Sequence, residues 1–134
     1  MITLTELFYD SEGNAHIIDI TSDVREIIIK SKLNKGQVLV FIPGATASVT
    51  TLECEDGLIE DFKDMFKKLI PEDDLYAHHD DNGCSHVRAG LLGPSLNVPF
   101  HENKMLLGTW QSIVVVDFDN RPRKRRVIVQ VVGE

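Results

Sequence analysis

The densest run of chemically versatile side chains extends from Tyr76 to Arg88 and contains three of the five histidines of the chain. Alternate residues of an extended chain share a face, so His78 with Asp80, or His79 with Asp81, could present a nitrogen and an oxygen to one ion, and His86 could return across a turn as a third ligand. Such ligands suit zinc, manganese or iron, although no HExxH spacing is present. A solvated acidic loop whose histidines cap turns is the alternative interpretation.

A second group of functional side chains follows the Pro43-Gly44 turn. Small residues with hydroxyls, such as Thr46 and Ser48, can present backbone N–H groups and hydroxyls to an anion in the manner of a nest. Neither of the common glycine-rich phosphate motifs is present. The alternative is that these hydroxyls form the polar face of a strand.

A third group is basic and lies at residues 121–126 of an otherwise acidic chain. In a strand, Arg123 and Arg125 would share one face, whereas Lys124 and Arg126 would share the other. An arginine pair can hold phosphate in a bidentate fork. Ion pairing that balances the excess of acidic residues, at the surface or between subunits, is the alternative.

The only tryptophan, Trp110, precedes Gln111 at the junction of two predicted strands. Its ring could stack on a heterocycle while the neighbouring amide reads the edge of that heterocycle, or it could belong to the core. Cys54 and Cys84 lie in acidic sequence, which raises the pKa of a thiol, so neither resembles an activated nucleophile.

Composition favours a single domain over residues 1–134, because domains most often contain roughly 100–150 residues. The 21 acidic and 14 basic residues give a net charge of −7, which disfavours binding to a nucleic-acid backbone. No apolar stretch is long enough to span a membrane, and no secretory leader is recognisable. Two cysteines without a CxxC motif suit a reducing compartment, so we expect a cytoplasmic protein.

The hydrophobic pattern predicts an α+β domain with an antiparallel, sandwich-like arrangement of about seven to nine strands and two helices. Apolar residues at helical spacing predict helices at 24–33 and 59–69, and Pro71 ends the second. A polar loop is predicted at 72–85. The predicted strands are 2–8, 15–20, 37–42, 46–53, 86–92, 95–100, 104–110, 112–118 and 126–132.

Strand pairing is also predicted from these runs. Residues 2–8 and 15–20 flank a turn and predict a hairpin, and 37–42 and 46–53 are expected to be neighbours. Residues 113–116 and 127–132 are apolar at nearly every position, which predicts cover on both faces by a second layer or by another subunit.

Motifs along nearly the whole chain resemble those of the YjbQ-like family, also called the secondary thiamine-phosphate synthases. The most specific are Gly108-Thr109-Trp110-Gln111 and the segment from His78 to His86. The full ordered set is Thr46-Ala47-Ser48, Glu53, Gly57, Asp61, Pro71, Tyr76, His78, Asn82, Ser85-His86, Leu92-Gly93, Ser95, Pro99, Leu107 to Gln111, Asp119, Arg123 and Val132-Gly133-Glu134.

This resemblance implies a homotrimer assembled around packed sheets. It also implies an enzyme that joins a hydroxymethylpyrimidine diphosphate to a thiazole phosphate, forming thiamine monophosphate and releasing diphosphate. A divalent metal, zinc or magnesium, and no organic cofactor would be expected. The partners would be a phosphorylated small molecule and other copies of the chain, with neither nucleic acid nor a membrane involved.

Site roles follow from the same resemblance. His78 and His86 would hold the metal, and His86 together with Glu53 or Asp61 would take part in proton transfer. Phosphate would meet arginine side chains, and the heterocycle would meet an aromatic ring and hydrogen-bonding groups. The implied substrate-binding residues are Thr46, Ser48, Asn82, Arg88, Trp110, Gln111 and Arg123.

The chain departs from the family pattern beside two of these residues. Gly44-Ala45 stands where many relatives carry a His-Thr pair, and Leu52 and Cys54 replace the asparagines that flank the family glutamate. These departures support a second interpretation, in which the protein is a trimer that binds a metal or a phosphorylated metabolite without catalysis.

Overall fold

Two antiparallel sheets and three helices form the fold, as described by a computed structural model of residues 1–134. The α+β class and the eight antiparallel strands agree with the sequence prediction, and a third helix is added to it. In chain order the elements are β1 (Ile2–Ser11), β2 (His16–Asp19), α1 (Thr21–Ser31), β3 (Gly36–Phe41), β4 (Ala47–Leu52), α2 (Asp56–Leu69), α3 (Gly83–Leu92), β5 (Ser95–His101), β6 (Lys104–Met105), β7 (Ser112–Asp117) and β8 (Arg123–Gly133).

The larger sheet has the order β1-β8-β3-β5-β6, and the smaller sheet has the order β2-β7-β4. All residues from Ile113 to Val116 on β7 are buried. Ile113 and Val115 pack in the core between the sheets, whereas Val114 and Val116 pack against α2 and α3 on the other side. The predicted cover of both faces is therefore confirmed for β7. On β8, alternate residues are buried, and the outer face of the larger sheet is not covered by this chain.

Both predicted pairings of neighbouring strands were wrong. β1 pairs with β8 and β2 pairs with β7, so the first two strands lie in different sheets. The turn between them contains three consecutive positive φ angles at residues 13–15, which lead the chain out of one sheet and into the other. β3 and β4 are likewise separated, because β3 pairs with β5 and β8 while β4 pairs with β7.

Residues 86–92, predicted as a strand, belong to the helix α3. The buried residues of α3 fall in pairs four apart, Cys84 with Arg88 and Ser85 with Ala89, which is helical spacing. Gly93 ends the helix with a φ of 93°, a conformation that favours glycine. The predicted strand at 104–110 is reduced to the two residues of β6, and a loop follows.

Candidate functional site

α3 brings the two predicted metal-ligand histidines together at its N-terminal end. The rings of His78 and His86 lie 4.6 Å apart, centroid to centroid, and His79 stacks 5.6 Å from His78 on the outer side. His86 lies within the first turn of α3, while His78 precedes the helix. Gly83 allows this approach, because a Cβ at that position would lie 2.8 Å from the Tyr76 Cβ and 3.1 Å from the His78 Cβ.

Asn82 connects the histidines to the charged interior. It is the residue before α3, and its Nδ2 lies 3.5 Å from Asp119 Oδ1. Its own Oδ1 is buried and accepts no hydrogen bond from the protein. Buried polar atoms without a partner are rare in folded proteins, so this oxygen is available to a donor from outside the chain.

The basic run of β8 is paired with aspartates, and its alternation is as predicted. Arg125 forms a bidentate pair with Asp117, with Nε 2.7 Å from Oδ2 and Nη2 2.8 Å from Oδ1. Arg123 Nη1 lies 2.6 Å from Asp119 Oδ2. Thr46 joins the two pairs, since its hydroxyl accepts from Arg125 Nη2 at 2.7 Å and donates to Asp119 Oδ2 at 3.3 Å. The basic run is therefore ion-paired within the chain, but Arg123 and Arg125 pair with buried aspartates rather than at the surface or between subunits.

These partners determine the ionisation of both buried carboxyl groups. Burial alone would raise the pKa of Asp117, but hydrogen bonds from Arg125, from the Asp119 amide and from Ser11 bring it below its ordinary value. Burial likewise opposes ionisation of Asp119, whose pKa is lowered by hydrogen bonds from the Asn120 amide, Asn82 and Thr46 and by the charge of Arg123. Both aspartates are therefore charged at neutral pH.

Two predicted substrate-binding residues make internal contacts instead. Arg88 is 3% exposed, and its guanidinium donates to the Ile70 carbonyl at 2.8 and 3.0 Å and to the Phe66 carbonyl at 3.4 Å. It thereby caps the C-terminal end of α2. Ser48 is fully buried, and its hydroxyl donates to the Ala89 carbonyl at 3.0 Å, which joins β4 to α3.

The remaining predicted residues lie at the opposite end of β4. Glu53 follows the last residue of β4, whereas Thr46 precedes the first, and a strand of six residues spans about 17 Å. Gln111 lies at the Glu53 end, with its Nε2 3.4 Å from Thr51 Oγ1. Trp110 is 73% exposed, so the core interpretation of this tryptophan was wrong. Asp61 is exposed on α2.

A cleft of about 390 Å³ opens at this second end, between β4 and β5. Thr51, Gln111 and Asn97 supply polar groups, and Leu106 and Leu107 supply apolar surface. The Gln111 Oε1 accepts from the Gly108 amide at 2.8 Å, which fixes the loop that carries Trp110. One chain thus has two separate groups of candidate residues rather than one assembled site.

The histidine pair does not by itself make a complete metal site. No set of three histidine, cysteine, aspartate or glutamate side chains is arranged to hold an ion. Structural zinc usually has four protein ligands and catalytic zinc three, so two imidazoles from one chain do not fit either type. The sequence analysis identified the histidines, Arg123 and Arg125, but it gave no site role to Asp117.

None of the helices is both long and apolar enough to cross a membrane. The Cys54 thiol has a raised pKa, owing first to burial and then to the charge of Asp19, which agrees with the prediction that this thiol is not an activated nucleophile.

Comparison with known proteins gives a consistent result over the whole chain. The family described as "UPF0047 protein YjbQ-like" matches residues 5–134. A UPF0047 protein of Archaeoglobus fulgidus is 40% identical over 127 residues, covering 93% of this chain and 98% of the relative. A UPF0047 protein of Methanothermobacter thermautotrophicus is 38% identical over 131 residues, covering 96% and 91%.

Solved structures show the same fold. A YbjQ-like protein of unknown function from Sulfolobus solfataricus has a TM-score of 0.91 and 30% identity, and the match covers all of both chains. A protein of the yjbq/upf0047 family from Clostridium acetobutylicum has a TM-score of 0.91 and 31% identity, covering 96% of this chain and 99% of the other. The chain therefore belongs to the UPF0047 YjbQ-like family, as its motifs predicted.

Proposed function

We propose that the chain binds a phosphorylated small molecule on the surface formed by His78, Asn82, His86 and Arg123, here called the histidine face. The observation that carries this proposal is the approach of two imidazole rings to 4.6 Å at the N-terminal end of α3. Imidazoles supply N–H donors, and a helix N-terminus favours negative charge. Arg123, although paired with Asp119, is partly exposed and adds a third donor.

The histidine face also favours a ligand that has hydrogen-bond donors of its own. The unpaired Oδ1 of Asn82 accepts hydrogen bonds only, and the exposed Asp80 and Asp81 precede it. A simple anion would not use these acceptors. A phosphorylated heterocycle with an amino group would satisfy both kinds of protein atom, which supports the substrate class implied by the resemblance.

The finer form of the proposal is a transferase of the thiamine-phosphate synthase type. The thiazole nitrogen would form a bond to the methylene carbon of the pyrimidine while the bond from that carbon to the diphosphate oxygen breaks. Diphosphate would leave with the bonding electrons, and His86 and Arg123 would stabilise its charge. No step uses a metal ion, because the two imidazoles do not complete a site for one.

This chemistry would need residues from more than one copy of the chain. Trp110 and Glu53 are separated from Thr46 by the length of β4, so a heterocycle stacked on Trp110 would meet the histidine face of a different subunit. The uncovered outer face of the larger sheet supports association, since Ile2, Leu4 and Phe8 are each more than half exposed there. A homotrimer built on this face is part of the proposal.

Binding without turnover is the second candidate, and a specific observation favours it. Gly44 has a φ of 128°, a conformation that a histidine rarely adopts, so the loop is not simply the family loop with one side chain removed. A protein that keeps the histidine face but has remodelled this loop could retain affinity for the ligand and lose catalysis.

The test combines binding and turnover on the same preparations. The protein is mixed with hydroxymethylpyrimidine diphosphate and thiazole phosphate, with and without magnesium, and thiamine monophosphate is measured by chromatography. Thermal stabilisation by each precursor is measured in parallel. His86→Ala is the test variant and His79→Ala is the matched control, because His79 stacks only on the outer side of the pair.

Stabilisation and product formation that depend on His86 but not on His79 would support the transferase. Stabilisation without product would support the binding protein. If neither precursor stabilises the wild-type chain, or if His79→Ala and His86→Ala behave alike, the histidine face is not the ligand site.

A further inference from the structure

The loop between β3 and β4 leaves three backbone amides without partners. The N–H groups of Gly44, Ala45 and Thr46 donate to no backbone or side-chain atom of the protein. Thr46 is only 5% exposed, and more than about nine in ten buried backbone amides in folded proteins are paired. Gly44 and Ala45 are exposed, so their amides are open to solvent, and the unpaired amide of the buried Thr46 indicates a place that receives an acceptor from outside the chain.

Arg125 contributes a buried guanidinium beneath the same loop. Its side chain is 5% exposed, its Nε and Nη2 are held by Asp117 and Thr46, and its Nη1 donates to no protein atom. A Cβ added to Gly44 would lie 3.3 Å from this Nη1. Because Gly44 is exposed and has no side chain, the approach to Nη1 from solvent is open.

We propose that the three amides and Arg125 Nη1, together called the Gly44 niche, bind one tetrahedral oxyanion of the phosphate type. All of these groups are donors, and successive backbone amides with a guanidinium are the groups that hold phosphate oxygens in proteins. A phosphate presents several acceptor oxygens to them, whereas a carboxylate presents two. The departure from the family sequence at Gly44 thus opens an anion site rather than only removing an imidazole.

The carboxylates that face the niche are already occupied. Asp117 accepts two hydrogen bonds from Arg125, and Asp119 accepts from Arg123 and Thr46. The two aspartates and two arginines balance in charge, so binding relies on directed hydrogen bonds rather than on a net positive potential. The affinity should therefore fall only modestly when potassium chloride is added.

This inference rests on the proposed function in one respect, because it assigns the phosphate of the ligand a place of its own. Thr46 is connected to Asn82 through Asp119, so the niche adjoins the histidine face. A phosphate group other than the one that meets the histidines would lie under Gly44.

The experiment titrates the isotope-labelled full chain with inorganic phosphate and follows backbone amide chemical shifts, at constant ionic strength held with potassium chloride. Gly44→Ala is the test variant, since its Cβ would lie 3.3 Å from Arg125 Nη1 and its φ of 128° disfavours a residue with a side chain, so both effects disturb the niche. Gly90→Ala is the matched control, because a Cβ there would meet nothing within 4 Å. Circular dichroism compares the folding of both variants.

We expect saturable shifts at Gly44, Ala45 and Thr46, and a loss of about tenfold in phosphate affinity in Gly44→Ala but not in Gly90→Ala. If Gly44→Ala does not fold, the inference is tested by the phosphate-dependent chemical-shift changes of the wild-type chain alone. The inference is overturned if the chemical-shift changes do not saturate or occur only at other residues. The three amides would then be hydrogen-bonded to ordered water instead. If a phosphorylated heterocycle binds in a His86-dependent way but the three amide chemical shifts do not change, the niche is refuted and the proposed function stands. If phosphate shifts the three amides but His86→Ala does not change heterocycle binding, the proposed function is refuted and the niche stands.

Discussion

Replacing Asp117 by asparagine removes the charge that balances Arg125 inside the protein. Asp117 is completely buried, and the Arg125 side chain is 5% exposed. Arg125 donates two hydrogen bonds to Asp117, of 2.7 and 2.8 Å. An asparagine keeps the size of the side chain but offers one oxygen and an NH2 group, which would face a donor of the guanidinium.

The cost follows from removing the carboxylate that makes both close contacts to a buried cation, which then keeps only the Asp119 oxygen 4.0 Å from its Nη2. Removing one partner of a buried ion pair typically costs about 3–5 kcal/mol. A domain of this length loses about 4 °C in melting temperature for each kcal/mol, so we expect a fall of about 12–20 °C in Asp117→Asn. Replacing both members together, as Asp117→Leu with Arg125→Met, should recover much of this loss because no charge is then stranded.

The assay is urea unfolding followed by far-ultraviolet circular dichroism, with thermal melts as a second measurement. Glu6→Gln is the matched control, because the Glu6–Arg126 pair has a distance of 3.5 Å and both side chains are more than 40% exposed. It should change the free energy of unfolding by less than about 0.5 kcal/mol. A loss below about 1 kcal/mol in Asp117→Asn would refute the assignment of a strong buried pair.

Three further results are expected. The pKa values of Asp117 and Asp119 in the folded protein lie below the ordinary 3.8. Their contribution to the free energy of unfolding is therefore complete above about pH 5 and is lost as the pH falls through these lowered values. The prediction is contradicted if the wild type loses no more stability on acid titration than Asp117→Asn does. Arg88→Ala should lower the free energy of unfolding by about 2–4 kcal/mol by uncapping α2, whereas the exposed Arg121→Ala should have little effect, and equal urea midpoints would count against the capping role. Trp110→Ala should leave stability within about 0.5 kcal/mol of the wild type, since its ring is 73% exposed, and a large drop in the melting temperature would show that the ring is packed in solution.

Most strands of the fold could be predicted from the sequence, because runs of β-branched residues indicate buried strands regardless of which strands they pair with. The apolar residues 113–116 predicted a strand buried on both faces, and these residues of β7 are all buried. Partner choice was not readable from local signals. The register of β4 with β7 joins residues sixty to seventy positions apart, so this pairing could not be foreseen, whereas the separation of Glu53 from Thr46 follows from the predicted strand at 46–53 itself.

α3 was missed because its sequence carries little helical signal of its own. It contains two glycines, which lower the helix propensity of a ten-residue segment. Arg88 ties it to the end of α2, a contact that only the tertiary structure supplies. The meeting of His78 with His86 was predicted, but as a return across a turn rather than through a helix.

The charged interior was closer to being predictable. Asp117 and Asp119 alternate just before a turn, and Arg123 and Arg125 alternate just after it. Residues two apart share a face of a strand, and the turn between β7 and β8, which lie in different sheets, brings the two aspartates to the two arginines. Whether these pairs lie at the surface or in the interior depends on whether their side chains are buried. The sequence does not indicate burial for a segment with so many charged residues.

The positions of β7 and β8 also govern how the chain can fold during synthesis. β7 is the middle strand of one sheet, and β8 separates β1 from β3 in the other, yet both are made after every strand that they join. A nascent polypeptide ending near His101 therefore carries β1, β2 and β4 while the strand that pairs with each is not yet synthesised. The two sheets therefore form only near the end of translation, and until then the unpaired apolar strands are exposed and can bind a chaperone.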